Sequence, residues 1–404
     1  MIKFFKVLKK SKKSKARLGL ISTPHGKIQT PAFVPVATKG TLKSLIPYQL
    51  KKIGIQAAFV NTYHLVSHPG ADVIAAAGGI HNFSRLDIPL MSDSGGFQVF
   101  SLAKRNPQGS GNPEGSLIKK ADIRGEEQPL IVKISDGGVK FRSLYDGRLI
   151  EFTPEKSMQF QQKIGADIIM AFDECTYYPA AHAYSRMAMI RTHNWLNRCI
   201  AQNQNLKIKN QNDKSKLKNN QFLYGIIQGG TYEDLRKGSA KFVTSQGVDG
   251  VAIGGVSVGE TKKEMRNQVK WVSEYLPEDK PVHLLGVGHI DDIADLVKYG
   301  IDTFDCVEPT RLARLGQLYR ISNAQIPASN LKEIDILTGK YKFDLSPVDE
   351  DCACYTCKNF TKAYLHHLFK QKELTAYTLA TVHNLCVMER LMTNLRKAIA
   401  ENKI

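Results

Sequence analysis

Short, continuous runs of apolar and β-branched residues recur along the chain. Each is followed by a polar or glycine-rich turn and then by a stretch of helical periodicity. Eight such runs stand out: Ala32–Val36, Ala57–Val60, Pro89–Met91, Asp167–Ala171, Phe222–Ile227, Gly250–Ile253, Val282–Leu285 and Ile301–Phe304. A strand that is apolar along its whole length is buried on both faces, as in a parallel sheet covered by helices. Eight strand–helix units predict an α/β fold, a (β/α)8 TIM barrel, with an open doubly wound sheet as the structural rival. The runs end in Asn61, Asp93, Asp173, Gln228, Gly254-Gly255, Gly286 and Asp305. A single polar residue after a strand is ordinary turn chemistry. In a barrel all of these meet at one mouth, where active sites lie.

Three segments interrupt the repeat. Ser101–Glu127 is rich in glycine, proline and charge, and Val132–Phe152 alternates polar and apolar residues. Asp136-Gly137-Gly138 and Asp146-Gly147 are hairpin signals, so residues 101–152 predict an antiparallel insertion. Residues 202–220 form an Asn/Gln/Lys tract with too few apolar side chains to pack, which predicts a flexible surface loop. Residues 331–404 read as a helical subdomain carrying a cysteine cluster and packed on a barrel of residues 17–330. Residues 1–16 read as a basic tail.

Composition narrows the class. Of 404 residues, 42% are hydrophobic and 23% charged, as in a soluble globular protein. No apolar run reaches the ~20 residues that spanning a bilayer requires. Lysines interrupt Phe4-Phe5 and Val7-Leu8, so no secretory signal is evident and a cytoplasmic location is expected. Net charge is +18; residues 1–17 contribute +8 and residues 201–220 a further +4. A polyanionic partner fits this concentration of lysine, as do solvated basic segments. Seven cysteines argue against a disulfide framework in such a chain. Cys352, Cys354 and Cys357 lie close enough to wrap a metal. With an imidazole, such as His383, they fill a tetrahedral Zn2+ shell and leave no position for water, which predicts a structural ion. Spacing alone leaves His366 and His367 open as the fourth ligand.

Two aspartates then draw notice. Asp93 follows a strand and precedes Gly95-Gly96, where a ligand can approach the backbone. Asp305 ends the last strand, ahead of Arg311 and Arg314. Two carboxylates facing one cavity suffice to cleave a glycosidic bond, one attacking the anomeric carbon and the other moving the proton. Asp173 and Gln228 offer hydrogen-bonding groups suited to the N1 and exocyclic-amine edge of guanine. Backbone N–H groups at Gly254-Gly255 suit its O6, and Phe97 suits stacking. A base paired or stacked in RNA has to be extruded to enter such a pocket.

These residues carry a resemblance to the queuine tRNA-ribosyltransferase (tRNA-guanine transglycosylase) family, particularly its bacterial form, over about residues 17–398. The matching motifs are His25-Gly-Lys-Ile-Gln-Thr-Pro-Ala-Phe33, Asn61-Thr-Tyr-His-Leu65, Asp93-Ser-Gly-Gly-Phe97, Phe172-Asp-Glu-Cys175, Gln228-Gly-Gly230, Ala252-Ile-Gly-Gly255, Asp305-Cys-Val and the Cys352/Cys354/Cys357/His383 set. The resemblance implies base exchange at the wobble position of tRNA. Asp305 matches the nucleophile that forms a covalent enzyme–RNA intermediate, and Asp93 the general acid/base. The base pocket falls on Asp93, Ser94, Gly95, Gly96, Phe97, Asp173, Gln228, Gly254, Gly255 and Leu285. Segments matching tRNA-contacting loops are Gly286, Val287, Gly288, His289, Ile290, Asp291 and Asp292, then Thr310, Arg311, Leu312, Ala313 and Arg314. Bacterial members take 7-aminomethyl-7-deazaguanine, act on the tRNAs for Asp, Asn, His and Tyr in queuosine biosynthesis, hold one structural zinc and form homodimers.

Two positions depart from the family pattern. Glu308 stands where an apolar residue is expected, and Val256-Ser257 where Leu-Ala is usual. Competing readings are another 7-deazaguanine base, a DNA substrate, a noncatalytic RNA-binding subunit, or a zinc-dependent barrel hydrolase.

Overall fold

A computed structural model describes residues 3–96, 130–143, 146–212, 221–321 and 331–404. Strands β1 (Phe5–Lys10), β2 (Arg17–Thr23) and β3 (Gly26–Thr30) form an antiparallel sheet. The first expected runs follow as β4 (Ala32–Pro35), β5 (Ala58–Val60) and β6 (Leu90–Ser92). An antiparallel insertion comes next: β7 (Leu130–Ser135), β8 (Gly138–Arg142) and β9 (Leu149–Phe152). This agrees with the expected hairpins, while residues 101–129 of the predicted insertion lie outside the described residues. The remaining runs are β10 (Ile168–Met170), β11 (Phe222–Ile227), β12 (Gly250–Ile253), β13 (Val282–Leu284) and β14 (Thr303–Cys306).

The eight long-range strands pair in parallel and in chain order from β5 through β14, and β14 returns to β4. A parallel bridge between Val36 and Phe59 joins β4 to β5, and the Ala37 N–H donates to the Phe59 carbonyl at 2.7 Å. The ring therefore closes into a (β/α)8 barrel, and the open-sheet alternative falls. Side chains alternate as period 2 requires. On β11, Tyr224 and Ile226 point into the barrel with Val34, Phe59, Met91 and Met170. Leu223 and Ile227 point outward beneath the helices. Both faces are buried, which is why the strands are continuously apolar.

The basic N-terminal segment differs from the expected tail. Phe5 is buried with Ile21 and Ile28 in the same cluster as the barrel interior, and Phe4 stacks on Phe222 with centroids 3.7 Å apart. The alternation of phenylalanine and valine with lysine is therefore a strand pattern. This sheet plugs the amino-terminal end of the barrel. Lys10 pairs with Glu278 at 2.6 Å, and Lys15 Nζ donates to the Ser273 carbonyl at 2.8 Å. Both lysines lie at the end of the barrel remote from the mouth.

The expected loop at 202–220 also changes. One helix runs His182–Asn212, so the first part of the tract is helical, and residues 213–220 lie outside the described residues. Gln and Lys are good helix formers. Cys199, Asn203 and Leu206, at helical spacing, continue the inward face. The expected boundary at 330/331 falls inside a hairpin, because β15 (Gln317–Ile321) pairs antiparallel with β16 (Leu331–Asp335). The helix Leu374–Ala400 fastens this region to the barrel. Asn384 accepts from the Tyr319 N–H and donates to the carbonyls of Gln317 and Pro309, and Arg396 donates to the Pro31 carbonyl.

Arg17 and Asp302 form a buried pair at the plugged end. Arg17 Nε and Nη2 meet the two carboxylate oxygens at 3.0 and 2.6 Å, and its remaining donors reach the carbonyls of Pro277, Glu278 and Lys280. Asp302 also accepts from the Val282 N–H at 2.8 Å. The pair ties β2 to β13 and β14. Removing one partner leaves a buried charge unmatched, at a cost of about 3–5 kcal/mol. Arg17→Ala is thus expected to lower stability by that order in chemical denaturation, whereas Lys6→Ala changes it little. Equal effects from the two substitutions would show that the pair does not hold the plug.

Candidate active site

The mouth of the barrel brings together Asp93, Asp173, Gln228, Gly254-Gly255 and Asp305, each at the carboxyl end of its strand or just beyond it. Asp93 follows β6 and is gripped by the turn after β5. Its Oδ1 accepts from the backbone N–H groups of Thr62 at 2.7 Å and Gly95 at 3.2 Å, and its Oδ2 accepts from the Asn61 amide. Thr62 Oγ1 donates to the Asp93 carbonyl. Asn61 also caps the helix Thr62–Ser67, its Oδ1 accepting from the His64 N–H at 3.1 Å. One asparagine therefore starts a helix and orients a carboxylate. Around the ring, β4 and β5 separate β6 from β14, which carries Asp305.

Asp305 is buried. Its Oδ1 contacts His283 Nε2 at 3.1 Å and accepts from the Gly286 N–H at 3.0 Å. His283 lies wholly inside β13, with its Nδ1 2.8 Å from Thr303 Oγ1 and its ring stacked over Phe59. In the tautomer that donates at Nε2 to the Asp305 carboxylate, Nδ1 is left to accept from the Thr303 hydroxyl, which can serve either role. Sequence reading missed His283. Its signal was a lone histidine inside the apolar run Val282–Leu285.

Asp173 and Gln228 stand side by side. Gln228 Nε2 donates to Asp173 Oδ2 at 2.7 Å, and Ser94 Oγ donates to Asp173 Oδ1 at 3.0 Å. Gln228 Oε1 is buried with no hydrogen-bond partner. A buried orphan acceptor beside a carboxylate calls for a donor from a ligand. Burial pushes the Asp173 carboxyl up to about 6, against the opposing pull of Gln228 and Ser94.

Glycine is needed where this pocket is tightest. A Cβ on Gly254 would come within 2.7 Å of Ile226 and 2.9 Å of Gln228 Nε2. At Gly255, with φ near +60°, it would meet Gln228 Oε1 at 2.2 Å. Of the two expected backbone donors, the Gly254 N–H is already engaged within the fold, donating to the Ile227 carbonyl at 3.0 Å. Leu285 packs beside Gly254 as an apolar wall. Arg236, also missed by sequence reading, is fully buried behind this loop. It donates to the carbonyls of Gly230, Ile227, Gly254 and Gly255 and to Gln268 Oε1. Burial lowers its guanidinium to about 10, still charged at neutral pH. Phe97 lies outside the described residues.

Beside Asp305 a cavity of about 390 Å3 is lined by Gly286, Val287, Gly288, His289, Asp292, Arg311, Leu312 and Glu308. Both expected RNA-contacting segments therefore face one hollow. Ile290, Thr310 and Ala313 are buried in the core instead and offer no accessible side chain; Asp291 pairs with Lys262 and Arg266. Arg314 Nη1 caps the Thr310 carbonyl at 2.7 Å. Glu308 faces this cavity, and burial raises its carboxyl. Val256 is core, and the N–H groups of Ser257 and Val258 both donate to the Glu260 carboxylate.

The metal-ligand residues converge. The ligand atoms of Cys352, Cys354, Cys357 and His383 all lie within 4.8 Å of one another, and all four residues are buried. His383 Nε2 contacts the Tyr319 carbonyl at 2.6 Å, so it carries the proton and leaves Nδ1 to face the sulfurs. His366 Nδ1 is instead engaged with the Ile336 carbonyl at 2.8 Å, which decides the fourth ligand left open by spacing. The donor set can hold a metal ion and closes around it.

The raised Asp173 carboxyl has a testable sign. Its folded-state value, about 6, exceeds the ordinary 3.8, so ionisation costs stability above about pH 6, and the cost is relieved as pH falls. A base that presents N–H donors, as guanine does, pairs with the ionised form. Guanine affinity is expected to fall as pH drops below about 6. Asp173→Asn should weaken guanine binding by roughly 10–100-fold while leaving the Tm at pH 7.5 unchanged or higher. Calorimetric titration and thermal unfolding check both; a lowered Tm with intact binding contradicts this account.

The family model for queuine tRNA-ribosyltransferase matches residues 11–404. A queuine tRNA-ribosyltransferase of Herpetosiphon aurantiacus is 43% identical over 388 residues, covering 96% of this chain and 87% of the relative. That of Thermoanaerobacter pseudethanolicus is 42% identical over 400 residues, covering 99% and 94%. That of Aquifex aeolicus is 43% identical over 395 residues, covering 97% and 94%. With a barrel whose mouth gathers these aspartates and a closed cysteine–histidine cluster, this chain belongs to the queuine tRNA-ribosyltransferase family.

Proposed function

We propose that this protein is a tRNA-guanine transglycosylase, a pentosyltransferase that replaces guanine at the wobble position of the tRNAs for Asp, Asn, His and Tyr with 7-aminomethyl-7-deazaguanine in queuosine biosynthesis. The observation that carries this reading is the placement of Asp93 and Asp305 at one barrel mouth, each held by dedicated donors, beside a buried carboxylate–amide pair with an orphan acceptor.

Each residue has a role in this reaction. Asp173 accepts from guanine N1–H and the exocyclic amine, Gln228 adds its orphan Oε1, the Gly255 N–H faces O6, and Phe97 stacks on the ring. Asp305 attacks C1′ of the extruded nucleotide, and the C1′–N9 bond breaks. His283 and Gly286 N–H both hold Oδ1, which fixes the carboxylate plane and leaves attack to the other oxygen. Asp93 delivers the proton to the departing base. The incoming base enters the same pocket, gives its proton to Asp93 and attacks C1′, and Asp305 leaves. A shared pocket delivers the second base already oriented and excludes water, which favours exchange over hydrolysis. The hollow beside Asp305 takes flanking nucleotides, and Glu308 sits there rather than in the base pocket.

The Cys3His cluster holds one structural zinc, which supplies fold stability and no open coordination site. No helix among the described residues is long and apolar enough to cross a membrane. A tRNA substrate is what calls for a cytoplasmic enzyme. The Tyr355 and Tyr364 rings flank Phe360 on the surface of the metal region, and Tyr48, Phe343 and Leu345 are also exposed. A homodimer contact on this apolar surface fits the family. Light scattering of wild type should give a dimer mass, and Phe360→Glu with Tyr364→Glu a monomer. An unchanged mass in the double variant would move the contact elsewhere.

The central test follows labelled guanine into unmodified tRNA for Tyr, with and without 7-aminomethyl-7-deazaguanine. Label should enter and then be chased out by the deazaguanine. Asp305→Asn should abolish both exchange and any denaturation-resistant protein–RNA adduct. Asp93→Ala should slow exchange by about 10^2–10^4-fold with tRNA binding retained. Exchange by Asp305→Asn, or none by folded wild type, defeats the reading.

A further inference from the structure

Asp173 does not stand alone after β10. The next residue, Glu174, carries a second carboxylate, only 1% exposed, and the two side chains diverge. Asp173 turns toward Ser94 and Gln228. Glu174 turns instead toward the helix His182–Asn212. There its Oε1 accepts from the Tyr184 hydroxyl at 2.7 Å, and its Oε2 accepts from Arg191 Nη1. The same helix grips the backbone on either side of Asp173. The Phe172 N–H donates to Cys199 Sγ at 3.3 Å, and the Glu174 N–H donates to Thr192 Oγ1 at 3.0 Å.

A buried carboxylate keeps its charge only when that charge is matched. Arg191 supplies the match, and its Nε also reaches Asp136 Oδ1 in the β7–β8 turn at 2.9 Å. Burial works against the charge of this guanidinium, yet Glu174 and Asp136 together hold it above its ordinary value. The pair also acts on its neighbour. Burial is the main reason the Asp173 carboxyl is raised; Gln228 and Ser94 oppose that rise, and the charge of Glu174 adds to it. The surrounding ionisable groups are fixed near neutral pH. Cys175 and Cys199 are held protonated by burial, Arg198 is paired with Glu155, and Arg236 is charged with Glu260 as its counter-charge. Asp173 therefore feels Glu174, and Arg191 governs how strongly.

We propose that Glu174 and Arg191 are positioning residues for base recognition, holding Asp173 from behind and setting the pH range in which it accepts a base. The proposal rests on the reading of Asp173 as the guanine acceptor. The two charges act on Asp173 with opposite signs. Neutralising Glu174 removes a repulsion, so Asp173 ionises at lower pH. Neutralising Arg191 leaves a buried negative charge unmatched beside Asp173, which then ionises at higher pH. A pair that served stability alone would answer the loss of either partner in the same way.

The test is guanine affinity of the full-length protein, measured by calorimetric titration from about pH 5 to about pH 8.5. Wild type should lose affinity as pH drops below about 6. In Glu174→Gln, which keeps an acceptor oxygen for Tyr184 or Arg191, the midpoint should move down by about one pH unit, and in Arg191→Met up by about one. Arg191→Lys restores the charge and should return the midpoint toward wild type, as should the double variant Glu174→Gln with Arg191→Met. Asp136→Ala removes only an exposed contact and should leave the midpoint in place. Midpoints that stay fixed, or that move in the same direction, in Glu174→Gln and Arg191→Met overturn the proposal. Should Arg191→Met fail to fold, a downward shift in Glu174→Gln with none in Arg191→Lys upholds the proposal, and any other pattern overturns it. Wild-type affinity independent of pH over this range would remove Asp173 as the guanine acceptor, and this proposal with it.

Discussion

A parallel sheet leaves two edges of unpaired backbone, and in this protein the edges meet. The bridge between Val36 and Phe59, with the Ala37 N–H on the Phe59 carbonyl, closes β4 on β5. Closure removes the exposed edge, and it also decides where chemistry can happen. All eight strands run the same way, so their carboxyl ends open on a single rim. Asp93, Asp173, Gln228, Gly254-Gly255 and Asp305 become neighbours only because the ring is shut. In an open sheet the residues after β6 and β14 would sit far apart.

The two ends of the barrel solve opposite problems with similar side chains. At the plugged end the buried charge is matched. Asp302 meets Arg17 in a two-pronged contact, and the guanidinium's other donors reach three carbonyls. At the mouth it is left incomplete. Asp173 is buried with neutral partners only, its carboxyl is raised to about 6, and Gln228 Oε1 has no partner. An unsatisfied buried polar pair destabilises the empty protein and is relieved by a ligand that brings the missing donors. Arg236 keeps this pocket from collapsing. With its guanidinium on four backbone carbonyls, it holds the glycine loop at a distance where any side chain on Gly255 would strike Gln228.

Much of this was written in the chain. Strands buried on both faces must be apolar throughout, so the eight runs and their parallel order were visible in one dimension. The aspartates could be located because each stood directly after such a run. The three clustered cysteines announced a metal site by residue type and spacing. What stayed hidden depended on contacts between distant segments. The N-terminal lysines masked a strand because Phe4 and Phe5 reveal their burial only against Phe222 and the barrel interior. The Asn/Gln/Lys tract read as a loop, yet an inward helical face with Asn203 and Leu206 carries it to Asn212. Spacing alone could not choose His383 over His366; the resemblance named His383, and the Tyr319 and Ile336 carbonyls that engage the two rings supply the physical reason. His283 and Arg236 escaped because their partners are a carboxylate on the next strand and a set of carbonyls. The sequence by itself therefore determined the barrel, the rim positions and the metal ligands' chemistry, since periodicity and residue type follow from burial. Only the tertiary structure decided which donors hold each carboxylate and which charges go unmatched, because those depend on distances that no linear spacing contains.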